Sequence, residues 1–245
     1  QDPPIELLQP IVNLFTNGKL QQALSDTSQL LEKFPNSVIL CNISGASNSG
    51  LMQFDDAIVS YKKALEIKPD HAEAYYNMGI ALKNKGDLEA AINSYKKALE
   101  IKPDYVEAYF NIGNILKSKS DLEAAIDSYK KALEIKPDHA KAYYNMGTAL
   151  KDTGDLEAAI DSYKKALEIK PDYVEAYNNM GIALKDTGDL EAAIDSYKKV
   201  LEIKPDYVEV YNNMGIAFTD KGDLEAAIDS YKKVLEIKPD YAEVK

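Results

Sequence analysis

Residues 69–102 read PDHAEAYYNMGIALKNKGDLEAAINSYKKALEIK, and the fold follows from this stretch. Tyr75, Met78, Gly79 and Leu82 fall at i, i+3, i+4 and i+7, the stripe of an amphipathic helix, here called helix A. Leu88, Ala91, Ile92, Tyr95, Ala98 and Leu99 form the stripe of a second helix, helix B, and leave Glu89, Lys96, Lys97 and Glu100 to water. Gly86 can end helix A in the left-handed conformation, Asp87 stands where it can cap helix B, and Pro103 cannot continue helix B. Asp104 followed by Glu107 has the spacing of a capping box for the next helix A, with Asp in place of Ser or Thr. The stretch therefore predicts two antiparallel helices joined by a tight turn.

Working outward, Pro35, Pro69, Pro103, Pro137, Pro171, Pro205 and Pro239 recur at a constant interval of 34. The expected units are 1–34, 35–68, 69–102, 103–136, 137–170, 171–204 and 205–238, with 239–245 opening an eighth. Units 137–170 and 171–204 are near copies, the mark of duplication: only His139, Ala140, Lys141, Tyr144, Thr148 and Ala166 have different counterparts in the second of them. One helix pair, with small residues at Gly79 and Ala91 and bulk at Tyr75 and Tyr95, would leave apolar surface uncovered. Stacking against neighbouring units solves this, so the expected fold is an all-α solenoid of antiparallel helix pairs.

At Tyr75-x-x-Met78-Gly79-x-x-Leu82, then Ala91, Tyr95, Ala98 and Pro103, the chain resembles the tetratricopeptide repeat (TPR) family. The resemblance covers essentially the whole chain, most clearly from Pro35 onward, and implies a right-handed superhelix with a concave binding groove. Tyr75 stands where the family often has Trp, and Leu82 where it often has Tyr. The first unit departs further: Ile11 replaces the recurring Gly, and Pro10 falls inside helix A, where it should kink or shorten the helix. Ser120 replaces the turn glycine of the fourth unit, at a cost of roughly 1 kcal/mol if that site is left-handed.

Composition excludes several function classes. All 29 basic residues are Lys, 40 residues are acidic, and the net charge of −11 repels phosphate backbones, so no nucleic acid is expected. The absence of Arg removes the planar fork that grips carboxylates and phosphates. No apolar run is long enough to span a membrane, and the first residues resemble no signal peptide, so a soluble protein with no membrane contact is expected. Cys41, alone, reads as a small buried hydrophobe. His71 and His139 stand two repeats apart in equivalent places and cannot share a metal. With no nucleophile–base pair, neither an enzyme activity nor a cofactor is expected of this chain. Asp152-Thr153-Gly154-Asp155 is a recurring turn without the ligand spacing of a calcium loop, and Asn42-Ile43-Ser44, a glycosylation match, lies in a helix A. Lys96-Lys97, Lys130-Lys131, Lys164-Lys165 and Lys198-Lys199 read as solvated surface, with acidic partners such as Asp127 and Asp161.

The informative residues lie on the other face of helix A, which in the TPR family lines the groove. They are Glu73, Tyr76, Asn77, Ile80 and Asn84 in the third unit, then Glu107, Phe110, Asn111, Asn114 and Lys117. Lys141, Tyr144, Asn145, Thr148 and Lys151 follow, then Glu175, Asn178, Asn179, Ile182 and Lys185, then Glu209, Asn212, Asn213 and Ile216. Asn77, Asn111, Asn145, Asn179 and Asn213 make a column, although Asn is a mediocre helix-interior residue. A carboxamide can both donate to and accept from a peptide main chain. Helices spaced at about 8–10 Å would match one Asn to roughly every third residue of an extended peptide. The column is similar to the asparagine ladder in the TPR arm of O-GlcNAc transferases. It would equally suit hydrogen bonds between neighbouring helices, or record one duplicated ancestor. The chaperone-type carboxylate clamp is not matched, because Glu73, Glu107, Glu175 and Glu209 stand where a clamp Lys would sit; Lys141 alone differs.

These residues point to a protein-interaction module that holds an extended, neutral-to-basic segment of a protein partner. Two other readings stay open at this level. One is the substrate-recognition arm of a larger transferase, since Tyr241-Ala242-Glu243-Val244-Lys245 falls inside a helix A with no polar cap after it. The other is a scaffold that self-associates head to tail.

Overall fold

The computed structural model describes residues 2–240. The stretch 241–245, where an eighth helix A was expected to open, lies outside the described residues. The described residues form α-helices and turns, with a short 3₁₀ segment at 239–240 and no strand. The A helices are α1 (Ile5–Thr16), α3 (Val38–Gly50), α5 (Ala72–Lys85), α7 (Val106–Ser118), α9 (Ala140–Thr153), α11 (Val174–Asp186) and α13 (Val208–Lys221). The B helices are α2 (Leu20–Lys33), α4 (Phe54–Ile67), α6 (Leu88–Ile101), α8 (Leu122–Ile135), α10 (Leu156–Ile169), α12 (Leu190–Ile203) and α14 (Leu224–Ile237). The chain divides into two compact units, residues 1–115 and 116–245.

Within the first unit α1 packs on α2, α3 on α4 and α5 on α6, while α2 meets α3 and α4 meets α5. The A helices also touch each other, α1 on α3 and α3 on α5. The second unit repeats this scheme from α8 to α14, with α9 on α11 and α11 on α13. Within each unit, successive helix pairs thus cover one another's apolar flanks, as stacking requires.

The period is locked by one contact. A Cβ added at Gly79 would lie 2.6 Å from the Tyr95 ring, at Gly147 2.8 Å from Tyr163, and at Gly181 2.6 Å from Tyr197. In these repeats the ring of the B-helix tyrosine fills the space beside the partner A helix, and beside it only glycine leaves room. Around this contact the fully buried positions are alanines: Ala74, Ala81, Ala91 and Ala98 in the 69–102 repeat have 0% exposure. The sequence pattern singled out Ala91 and Ala98 but not Ala74 or Ala81. In the first repeat the sizes are exchanged: Ile11 is buried in the glycine position and Thr27 in the tyrosine position, its hydroxyl returned to the Ala23 carbonyl at 2.6 Å. Ile11 is thus half of a complementary swap that keeps the core filled. Pro10 does not end α1, which runs through it to Thr16; the missing N–H leaves only the Glu6 carbonyl without its helical donor.

The A–B turns are left-handed at Gly18, Gly86, Gly154, Gly188 and Gly222. The same position holds Ser120, as expected, and Met52, which the sequence did not flag; both have φ 61°. The helix A caps correct the sequence reading. These helices begin one residue later than a capping box at Asp104 requires, at Ala72, Val106, Ala140, Val174 and Val208. His71 Nδ1 accepts from the Ala74 N–H at 3.1 Å, and His139 Nδ1 from Ala142 at 3.3 Å, which gives both histidines a structural task. Asp155, Asp189 and Asp223 cap their B helices as expected, whereas Asp87 makes no cap bond and lies 3.5 Å from Lys85. The lysine pairs are exposed: Lys164 faces Asp161 at 3.7 Å, while the second lysine reaches forward, Lys199 to Glu202 at 2.7 Å. Such exposed pairs are screened by water and salt and add little to stability.

Burial raises the phenol pKa of Tyr61, Tyr95, Tyr129, Tyr163 and Tyr197. The folded state therefore prefers the neutral phenol, and the associated stability is complete below the unfolded value near 10 and lost as pH rises above it. Helical circular dichroism should hold to about pH 10 and fall between about pH 10 and 12. A signal unchanged through that range would contradict the burial of these hydroxyls.

Candidate peptide-binding face

The A helices present their second face as a layer within each unit. In the first unit Tyr76, Asn77, Ile80, Phe110, Asn111 and Asn114 are half-buried in it, with Glu73 and Glu107 exposed at its edge. In the second unit Lys117, Tyr144, Asn145, Thr148, Lys151, Asn179, Ile182, Lys185, Asn212 and Asn213 are half-buried, and Lys141 and Ile216 exposed. Asn178 is buried, at 6% exposure. Asn84 falls out of register: the counterpart of Lys117, Lys151 and Lys185 is Lys83, half-buried, while Asn84 is exposed.

The asparagine column is tied together from repeat to repeat. Asn111 Nδ2 donates to the Tyr76 hydroxyl at 3.2 Å, and Asn179 Nδ2 to the Tyr144 hydroxyl at 3.1 Å. Asn213 Nδ2 donates to Asn178 Oδ1 at 3.2 Å. Each bond joins residues 35 apart, one repeat plus one residue, because the A helices lie side by side with a small offset. Asn145 differs: it hydrogen-bonds the hydroxyl of Tyr129 on the preceding B helix.

Tyr105 and Tyr173, which sequence reasoning did not place here, complete the aromatic part of the face. The Tyr76 and Tyr105 rings lie 4.6 Å apart, and Tyr144 and Tyr173 4.9 Å apart. Lys102 Nζ sits 4.6 Å over Tyr105 and Lys170 Nζ 4.7 Å over Tyr173. The signal that could have found them is positional, since His71, Tyr105, His139, Tyr173 and Tyr207 hold the same place in successive repeats, just before helix A. Burial pushes the Tyr105 and Tyr173 phenols up to about 12, with help from the neighbouring tyrosine and then from Glu73 and Glu107, or Glu175. Burial lowers the Lys117 ammonium, and Asp152 partly offsets it. The face is therefore aromatic and amide-rich, with glutamates at the helix A N-termini and lysines near their C-termini.

Among the described residues no cluster of His, Cys, Asp or Glu could hold a metal ion, and no helix is long and apolar enough to cross a membrane. Asn42 of the glycosylation match is half-buried, its Nδ2 3.4 Å from His71 Nε2, and Ser44 is buried beside Ser60.

Comparison with known proteins agrees with this geometry. Residues 53–86, 81–119, 113–154, 147–188 and 183–219 match the model of the TPR repeat, and 208–241 that of the tetratricopeptide repeat. A MamA crystal structure is 31% identical, with a TM-score of 0.67, over 71% of this chain and 95% of that one. YrrB, described as a TPR protein with an unusual peptide-binding site, is 28% identical, with a TM-score of 0.68, over 74% of this chain and 94% of that one. The C-terminal part of a TPR protein from Cytophaga hutchinsonii shares the fold at a TM-score of 0.84, over 96% of both chains at 21% identity. Two curated relatives match locally. The peroxisomal targeting signal receptor of Candida glabrata is 28% identical over 85 residues, 35% of this chain and 14% of that protein. The probable UDP-N-acetylglucosamine–peptide N-acetylglucosaminyltransferase SEC of Arabidopsis thaliana is 33% identical over 76 residues, 31% of this chain and 8% of that protein. With the repeat matched across residues 53–241 and the same helix pairs in both units, the chain belongs to the tetratricopeptide repeat family.

Proposed function

We propose that this chain is a protein-interaction module whose A-helix face holds an extended, neutral-to-basic segment of a partner protein. The observation that carries the reading is the anchored asparagine column. Asn111, Asn179 and Asn213 each spend one N–H on the neighbouring repeat and keep a second N–H and carbonyl lone pairs to offer. A peptide main chain needs both kinds of partner. The exposed Glu73, Glu107, Glu175 and Glu209 and the net charge of −11 favour a segment that is not acidic. The peptide-binding site named for YrrB is consistent with this use of the fold. Binding rather than catalysis is the proposed role, since both histidines serve as helix caps and burial raises the Cys41 thiol pKa, which keeps it protonated.

The test uses peptides of about twelve residues, roughly 40 Å when extended, selected from a random display library against the unmodified chain. Replacing Asn111, Asn145 and Asn179 with Ala should leave the helical signal in place and weaken those peptides by at least about tenfold, given roughly 0.5–1.5 kcal/mol per hydrogen bond. Unchanged affinity would remove the column from the proposal.

A further inference from the structure

Beneath the asparagine column the hydroxyls of Tyr95, Tyr163 and Tyr197 are buried without a well-formed hydrogen bond among the described residues, and all three side chains have 0% exposure. Tyr163 has the Thr148 hydroxyl beside it, close enough to lower its phenol pKa; Tyr95 and Tyr197 have no such neighbour. An orphaned buried hydroxyl is costly, so it persists only where something else decides the arrangement. The competing bond is the one the asparagines make along the column. Tyr95 and Asn111, and likewise Tyr197 and Asn213, have the same sequence separation as Tyr129 and Asn145, which are hydrogen-bonded to each other. Where the preceding A helix offers an oxygen, as Tyr76 and Asn178 do, the amide goes there and the B-helix hydroxyl is left over.

We infer that Tyr95 and Tyr197 are positioning residues of the peptide-binding face, each a second seat for the side-chain amide of Asn111 or Asn213. The amide has two seats of similar geometry: an upper one on the neighbouring A helix and a lower one on the tyrosine of the B helix. A peptide N–H that donates to the Tyr76 hydroxyl oxygen or to Asn178 Oδ1 competes with the asparagine N–H and frees the amide to drop to the lower seat. The hydroxyl orphaned in the free protein is then satisfied, and that gain adds to affinity at the moment of binding. Asn145 shows the lower seat in use, bonded to Tyr129 in the free protein. This inference rests on the proposed binding role of the face, but the two seats are a property of the free protein and can be tested without any peptide.

The experiment follows the Asn111 side-chain amide by ¹H–¹⁵N NMR on the full chain, with its resonances assigned by their loss in Asn111→Ala. Tyr95→Phe alone should leave the amide shifts in place, because the upper seat is occupied. Tyr76→Phe alone should shift them while the amide stays protected from exchange with water, held by Tyr95. In the double variant the amide has lost both seats, and exchange should accelerate by about tenfold, the equivalent of about 1.4 kcal/mol. The circular dichroism of each variant verifies that these near-isosteric changes leave the fold intact. Exchange accelerated as much by Tyr76→Phe alone as by the double variant would overturn the second seat, as would shifts that respond to Tyr95→Phe alone. Peptides that ignore the asparagines would instead overturn the binding role while leaving the exchange result standing.

Discussion

Gly181→Ala should destabilise the chain by about 1–3 kcal/mol, although helix propensity taken alone gives the opposite sign, a gain of about 1 kcal/mol. Gly181 is buried inside α11, and an added Cβ there would lie 2.6 Å from Cε1 and 2.9 Å from Cδ1 of Tyr197. The ring cannot retreat, because Tyr197 is fully buried and packed in the same core as Leu184, Met180 and Val200. The methyl must therefore part the two helices or force the tyrosine off its rotamer, and either outcome exceeds the backbone entropy gained. The first repeat supplies the control, since Ile11 and Thr27 fill the same two positions with the bulk exchanged. In a Tyr197→Thr background, which itself loses packing, adding Gly181→Ala should cost nothing or stabilise. Urea titrations followed by circular dichroism on the four-member cycle would measure this. A stabilising Gly181→Ala in the unmodified chain would refute the steric account.

Met52→Gly and Ser120→Gly should each stabilise by about 1 kcal/mol, and together by about 2 kcal/mol, since the sites lie two repeats apart and share no partners. Both residues hold φ at 61°, a region that costs an L side chain about 1–2 kcal/mol and glycine nothing comparable. Met52 is 75% exposed and Ser120 is exposed, so little packing is given up. At Gly86, Gly154, Gly188 and Gly222 an added Cβ would meet nothing within 4 Å, which means the preference at this turn is one of backbone conformation and not of space. Gly154→Ala, the reverse change at an equivalent turn, should accordingly destabilise by a similar amount. Thermal melts of the two single variants, the pair and the reverse variant decide the matter, and no change in midpoint for the pair would contradict the conformational account.

Legibility in the sequence tracked how local the cause was. Helix identity, the turn glycines and the strain at Ser120 could be read because each depends on residues within one turn of chain. Met52 occupies the same strained turn, but nothing in Leu51-Met52-Gln53 announces it, because methionine is not a turn residue and only the register exposes the exception. The expected capping box at Asp104 and Glu107 failed for a tertiary reason: Tyr105 takes the position before the helix and its ring stacks on Tyr76, whereas a histidine there caps directly. Asn84 is exposed, and the residue in register with Lys117, Lys151 and Lys185 is Lys83, since a stripe at helical spacing cannot choose between i+3 and i+4 at its end.

The sequence by itself determined the repeat, the two helices in each unit, the turn between them and the residue types on the second face of helix A, because a strict repeat copies local propensities and apolar spacing without loss. The tertiary structure alone decided which partner each asparagine holds, why glycine must face tyrosine, and why the first repeat can exchange the two. Those outcomes depend on the offset between adjacent helices and on the space left between them. A side-chain amide bonded to an acceptor one repeat away, or a Cβ that would stand 2.6 Å from a ring, exists only once the helices have been laid side by side.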